Sequence, residues 1–364
     1  MLRYPALLSL TLGAVAALGF APLQWWPVAL VAVAWWMGLI HAAPGVRAAL
    51  WRGWLFGVGH FTVNNNWIAH AFDFQDAMPH ALGLLAAPGL ALYLAVYPML
   101  AAGLAWRWRR EDAPDWPFVL AFAAAWITTE WLRAEMFTGY AWDPLGVQWV
   151  PTGVAHAAAW IGTYALSGVS GLVAGALLLA AGRRRSAFAA LIGVALGAAL
   201  LSVSATFAVT AAGPDPLAPR VRIVQPDIGQ DQRGETDGEL MLRALERLSG
   251  RPGPAPRLLL WPEGVVRDFV EDGYPWRFYL APDPVRGFAF HDPRRVRARL
   301  ARLLGPRDLL LAGGSALQFT REDEISTASN SIFAVDGHAR LVGRYDKAHL
   351  VPYGEYLPMR PLLS

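Results

Sequence analysis

Cysteine is absent from the sequence, which excludes disulfides, thiolate metal sites and thiol nucleophiles from its 364 residues. Lysine is almost absent: of 31 basic residues only Lys347 is a lysine and the rest are arginine. A general arginine bias accounts for the ratio, but it leaves a single side-chain amine in the chain. Charge is also scarce. Only 16% of residues are charged, against about 25% in an average soluble domain. The shortage is local, because residues 1–212 hold 10 Arg and 8 Asp or Glu whereas residues 213–364 hold 21 basic and 20 acidic side chains. The chain therefore reads as a membrane-like part followed by a soluble-like part. The net charge of +3 is spread over both, too thinly for a nucleic-acid partner. No cofactor and no metal site are expected.

What is abundant is apolar sequence, 55% of the chain. A membrane-spanning helix needs about 20 mainly apolar residues. The pattern predicts a transmembrane domain over 1–212 with about seven helices, at roughly 5–21, 24–41, 49–70, 81–105, 116–133, 152–181 and 186–212. Short loops rich in Arg stay on the cytoplasmic side. Arg3, Arg47, Arg52, Arg107, Arg109, Arg110, Arg183, Arg184 and Arg185 share one side if the N-terminus is inside, with Arg133 opposed. Seven spans then carry residue 213 outside. Of 17 Trp, 15 lie in residues 1–160, mostly as an interfacial aromatic belt. Some polar groups inside the spans need partners or a wet cavity, because lipid cannot solvate them. They are His60, Asn64, Asn65 and Asn66 in the third span and Glu130 and Arg133 in the fifth. Glu130 and Arg133 have helical spacing for a mutual ion pair. His60 and the Asn run read as interhelical hydrogen bonding, or as a cavity for a lipid headgroup.

After the linker signal Gly213-Pro214-Asp215-Pro216 the periodicity changes. Strands are expected at 221–225, 257–261 and 309–312, and helices at 236–249 and 293–304. Strands 331–335 and 341–345 flank the turn Asp336-Gly337. Interleaved strands and helices give an α/β layer structure. Two groups carry chemistry. Glu263 follows a buried strand and Pro262, which projects its carboxylate from the strand end. Lys347 lies in the polar and aromatic stretch 345–356. A carboxylate base plus an ammonium is half of an acyl-transfer site; a nucleophile and a pocket that excludes water would complete it.

These features occur together with specific motifs: Gly19-Phe20-Ala21-Pro22, Glu130-Trp131-Leu132-Arg133, Phe137-Thr138-Gly139-Tyr140-Ala141-Trp142, Val224-Gln225, Leu260-Trp261-Pro262-Glu263, Ser329-Asn330-Ser331 and the block Tyr345 to Pro358. On them the sequence resembles the apolipoprotein N-acyltransferases, bacterial inner-membrane enzymes. The resemblance implies a multi-span α-helical membrane domain followed by an α/β nitrilase-like (αββα sandwich) domain over 213–364 that faces the periplasm. It implies acyl transfer from a phospholipid donor, through a cysteine thioester, to the N-terminal diacylglyceryl-cysteine of an apolipoprotein acceptor, in contact with membrane lipids. Residue by residue, Glu263 matches the general base and Lys347 the stabiliser of the tetrahedral intermediate. Glu355 matches a supporting carboxylate and Asn330 a pocket residue, and Tyr353, Glu130 and Arg133 are taken with them as candidate supporting or substrate-binding residues. Gly234 stands where the family usually has a loop Trp. The family's Cys lies beyond the Lys motif, so the sequence is expected to be C-terminally incomplete and, as it stands, inactive. A membrane-tethered nitrilase-type amidohydrolase and a non-catalytic lipid-binding membrane protein are the alternatives.

Overall fold

A computed structural model describes residues 4–74, 79–110, 113–211, 219–228, 238–283, 287–321 and 323–350. The chain divides into two compact units, Met1–Gly213 and Pro214–Ser364.

The first unit is helical. Its elements are α1 (Pro5–Ala17), α2 (Trp26–His41), α3 (Val46–Asn64), α4 (Ile68–Ala71), α5 (Gly83–Leu94), α6 (Val96–Arg107), α7 (Trp116–Glu135), α8 (Ala158–Ala181) and α9 (Arg185–Ala211). Prolines open α1, α2 and α7 in the first turn, where a missing N–H costs nothing. At α7 the Asp115 carboxylate also caps the Phe118 N–H at 3.1 Å. Among the described residues two stretches are long and apolar enough to cross a membrane, His80–Arg107 and Gly153–Ala181. Shorter apolar helices are Pro5–Ala17, Trp26–His41 and Arg185–Leu201. The core is aromatic and small-residue: Trp36 stacks on Phe56 with centroids 3.9 Å apart, and Phe122 and Trp126 close over them. α1 and α3 meet backbone to backbone. A Cβ at Gly13 would lie 2.0 Å from the Phe56 carbonyl oxygen, and one at Gly59 would lie 2.1 Å from that of Leu10. Only glycine permits this crossing.

The second unit is α/β. In order it contains β1 (Arg220–Ile223), α10 (Gly238–Ser249), β2 (Arg257–Leu260), β3 (Leu280–Asp283), β4 (Gly287–Phe290), α11 (Pro293–Ala301), β5 (Leu309–Phe319), β6 (Ile325–Asp336) and β7 (Leu341–Asp346). One five-stranded sheet runs β1-β2-β5-β6-β7, and β3-β4 form a separate ribbon. β1, β2 and β5 are parallel; β5, β6 and β7 are antiparallel. Leu242 and Leu245 of α10 and Val296 and Leu300 of α11 bury with Leu259, Leu310, Phe333 and Val335 of the sheet. The start of β2 is fixed by a buried ion pair. Asp308 accepts from the Arg257 backbone N–H at 2.9 Å, Arg257 Nε at 3.2 Å and the Gly305 N–H at 3.0 Å. The remaining Arg257 donors go to the carbonyls of Ser249 and Leu303, so neither charge is buried unpaired.

A charge clamp joins α10 to α11. Arg299 donates to Glu239 and Glu246, at 2.5 Å and 2.6 Å for the closest contacts. These bonds from Arg299, with Arg243 adding to them, hold the Glu239 carboxyl down to about 2 from its ordinary 4.5. A depressed carboxyl stabilises the fold above its unfolded value, and the contribution is lost as pH falls from about 4.5 towards 2. Thermal melts of the wild type and of Glu239→Gln should therefore differ at pH 6 and converge by about pH 2. A difference that persists unchanged at low pH would assign the effect to something other than this carboxylate.

Candidate functional site

In the second unit, three of the expected residues come together at the sheet. β2 delivers Glu263, one residue beyond Trp261-Pro262, and Gly264 follows with φ +65°. The strand beside it, β5, passes so close that a Cβ at Gly313 would lie 2.6 Å from the Glu263 Cα and 2.5 Å from the Pro262 carbonyl oxygen. The Val266 N–H donates to the Gly313 carbonyl at 3.0 Å and closes the turn onto the sheet. β6 supplies Asn330, whose amide Nδ2 donates to Glu263 Oε1. Lys347 follows directly on β7; its backbone N–H donates to the Asn330 carbonyl at 2.8 Å, adding one rung to the ladder. Its Nζ stands 3.5 Å from Glu263 Oε1. The side chains of Lys347 and Glu263 are 31% and 66% exposed, so both can be reached from outside. A carboxylate and an ammonium thus face the same space, with an amide orienting the carboxylate. Such a set can take a proton from a nucleophile and offer a cation to an oxyanion. Tyr353 and Glu355 lie outside the described residues.

Glycines 313 and 314 were not singled out by the sequence reading. The signal was available, since paired glycines at the end of an apolar strand mark a close backbone approach. Arg344, Asp346 and Glu271, which brace the Lys347 strand, were also missed. Nothing local in the sequence pairs a residue after β2 with the edge strand.

In the first unit, Glu130 and Arg133 are buried, at 5% and 2% exposure, but they do not form the ion pair that their spacing allows. Glu130 Oε1 instead accepts the Leu145 N–H at 2.7 Å and Trp126 Nε1 at 2.9 Å. The Arg133 guanidinium sits 4.9 Å over the Phe61 ring. Its backbone carbonyl accepts the Tyr140 N–H at 2.7 Å. Both residues therefore hold down the segment 140–145. The Asn run divides. Asn64 bonds His60 within α3 at 3.2 Å, whereas Asn65 accepts the Tyr140 hydroxyl across to that segment. His60, Phe61, Tyr97, Pro98, Trp126, Thr129, Glu130, Arg133 and Asp143 line a pocket. Glu130 Oε2, Arg133 Nη1 and Asp143 Oδ2 have no hydrogen-bond partner among the described residues. Buried polar atoms of this kind call for one, for which an ordered water is enough.

Residues 12–176 match the family model of the apolipoprotein N-acyltransferase N-terminal domain. The chain is similar to the apolipoprotein N-acyltransferase of Ralstonia nicotianae, with 30% identity over 98% of this chain and 63% of the relative. The corresponding enzyme of Caulobacter vibrioides is 34% identical over 98% of this chain and 65% of its own length. That of Rhizobium rhizogenes is 30% identical over 99% of this chain and 67% of its own. The chain belongs to the apolipoprotein N-acyltransferase family. It spans just under two thirds of the length of the first two relatives.

Proposed function

We propose that the chain carries membrane helices and an acid–base pair of an enzyme that N-acylates bacterial lipoproteins. The acyl chain comes from a phospholipid and passes through a thioester to the amine of an N-terminal diacylglyceryl-cysteine. The observation that carries this reading is the Glu263–Lys347 contact at 3.5 Å, oriented by Asn330, in a chain of this family. Glu263 takes the proton from the attacking thiol, and later from the incoming amine. Lys347 offers its ammonium where the tetrahedral oxyanion develops. The second unit is taken as nitrilase-like, and Tyr353 and Glu355 as further pocket residues. Glu130 and Arg133 are read as lining a polar pocket for substrate, supported by the unpartnered buried atoms beside it.

Thioester chemistry needs a thiol, and these 364 residues contain none. Incubated with radiolabelled phospholipid, the 364-residue polypeptide should form no acyl-protein adduct that hydroxylamine releases. A chimera carrying the part of the Caulobacter relative that this chain does not match should form one. Release of labelled adduct from the 364-residue form would sink the assignment of the chemistry to a thiol.

The helical unit is proposed to cross the bacterial inner membrane about seven times, with the N-terminus inside and the second unit in the periplasm. The support is nine arginines on one side against Arg133 on the other. Alkaline phosphatase fused after Ala218 should be active and fused after Arg185 silent. The opposite pattern would reverse the topology.

A further inference from the structure

Lys347 extends an edge strand. In the sheet order β7 is terminal, and β6 is its one backbone neighbour among the described residues. An edge strand held on one side only is a poor place from which to aim a side chain to within a few tenths of an ångström. Side chains that reach back across the sheet to β6 and β5 add to that single ladder.

Arg344 and Asp346 lie two residues apart on β7, on one face of the strand. Arg344 NH1 bonds both oxygens of Glu271, each at 2.9 Å. The same guanidinium reaches Asp346 with NH2 on Oδ2 at 2.9 Å and with Nε on Oδ1 at 2.9 Å. Asp346 Oδ1 also accepts the Ser331 hydroxyl of β6 at 2.7 Å, and Ser331 is the register partner of Asp346. At the other end Glu271 accepts the Tyr274 hydroxyl, and that same oxygen accepts the Leu317 N–H of β5 at 3.0 Å. A continuous belt thus runs from β5 through Tyr274, Glu271, Arg344 and Asp346 to β6. It ends on the residue immediately before Lys347. The side chains of Glu271 and Arg344 are 17% and 29% exposed, and the two-pronged fork that makes the guanidinium directional is the one to Asp346.

We propose that the Glu271–Arg344–Asp346 belt positions the Lys347 amine against Glu263, with Arg344 as its central positioning residue. This rests on the reading of Lys347 and Glu263 as the acyl-transfer pair, and it concerns geometry that exists before any thiol or lipid is supplied.

The single lysine makes the test direct. Acetic anhydride at trace level labels only Lys347 and the N-terminal amine, and peptide mass spectrometry separates the two. An amine held against a carboxylate is less accessible to the reagent and reacts slowly. In the full 364-residue chain, Glu263→Gln should raise the Lys347 labelling rate about threefold, as expected for a partly exposed ion pair. Arg344→Gln should produce a similar increase. Combining the two should add little to either alone, since both release the same contact. Glu271→Gln breaks the belt from its far end and should behave like Arg344→Gln. Arg307→Gln, which removes an exposed arginine outside the belt, should label at the wild-type rate. The chain unfolded in urea sets the upper limit. Wild-type labelling in both Arg344→Gln and Glu271→Gln overturns the proposal, as do effects that multiply with Glu263→Gln. Rates at the urea limit in both belt variants also overturn it, because the belt would then hold the fold and not one amine. None of these outcomes depends on acyl transfer, so a failure here is separable from a failure of the proposed activity.

Discussion

In a form of the enzyme that carries a thiol, Lys347→Ala should lower acyl transfer by about 10²–10³-fold, equivalent to about 2.7–4 kcal/mol, the cost of removing one oxyanion donor. The loss should fall on the rate and not on donor binding, because the charge it meets exists only in the transition state. Lys347→Arg should fail as well. A wide, planar guanidinium spreads its charge over three nitrogens and cannot occupy the point held by a compact ammonium 3.5 Å from Glu263. The assay is transfer of a labelled acyl chain from phospholipid to a diacylglyceryl lipoprotein by the Caulobacter chimera and both variants. Robust turnover by Lys347→Ala would place the chemistry on other residues.

Gly13→Leu should prevent the helical unit from packing. Even a single Cβ there would lie 2.0 Å from the Phe56 carbonyl oxygen, and the obstacle is backbone, which cannot swing aside as a side chain can. Overpacking a core costs about 1–3 kcal/mol, and more where the clash is with main chain. α1 would have to shift away from α3 and expose Leu12 and Ala16, both buried. Since 15 of the 17 tryptophans lie in residues 1–160, near-UV circular dichroism in detergent reports on this unit. The variant should lose that signal at a temperature where the wild type and Gly45→Ala keep it, since a Cβ at Gly45 meets nothing within 4 Å. A native spectrum and melting temperature in Gly13→Leu would refute the close crossing.

The sequence reading succeeded where the signal was local. Apolar runs placed α1, α2, α7 and α9 to within a few residues. The strand end at Pro262 placed Glu263, and the turn at Asp336-Gly337 placed the β6–β7 hairpin. It failed where distant chain decides. The span expected over 81–105 is the apolar stretch His80–Arg107, whose helical hydrogen bonding is interrupted at Ala95, three residues before Pro98. β5 and β6 run on well past their apolar halves. Ser315 to Phe319 pair with Ile325 to Asn330, a stretch rich in Ser, Thr and Asn that lies beyond the strands expected over 309–312 and 331–335. β3 and β4 were passed over because Pro282 and Gly287 resemble breakers. The expected Glu130–Arg133 pair gave way to the Leu145 N–H and Trp126, since a buried carboxylate takes the backbone donor that folding brings to it. The Glu263–Lys347 contact lies in the same class. Each residue was legible alone, whereas their meeting depends on register across β2, β5, β6 and β7.

That register also sets a schedule. Between Glu263 and Lys347 the chain makes the β3–β4 ribbon, α11, β5 and β6 before it returns. Closing so long an excursion requires the intervening strands to pair first, because its entropy cost is met only by contacts that they supply. On a ribosome that synthesises from the N-terminus, the carboxylate emerges well before the amine. The pair therefore cannot form on a half-made chain, and any acyl-transfer competence would arise only once the sheet was whole.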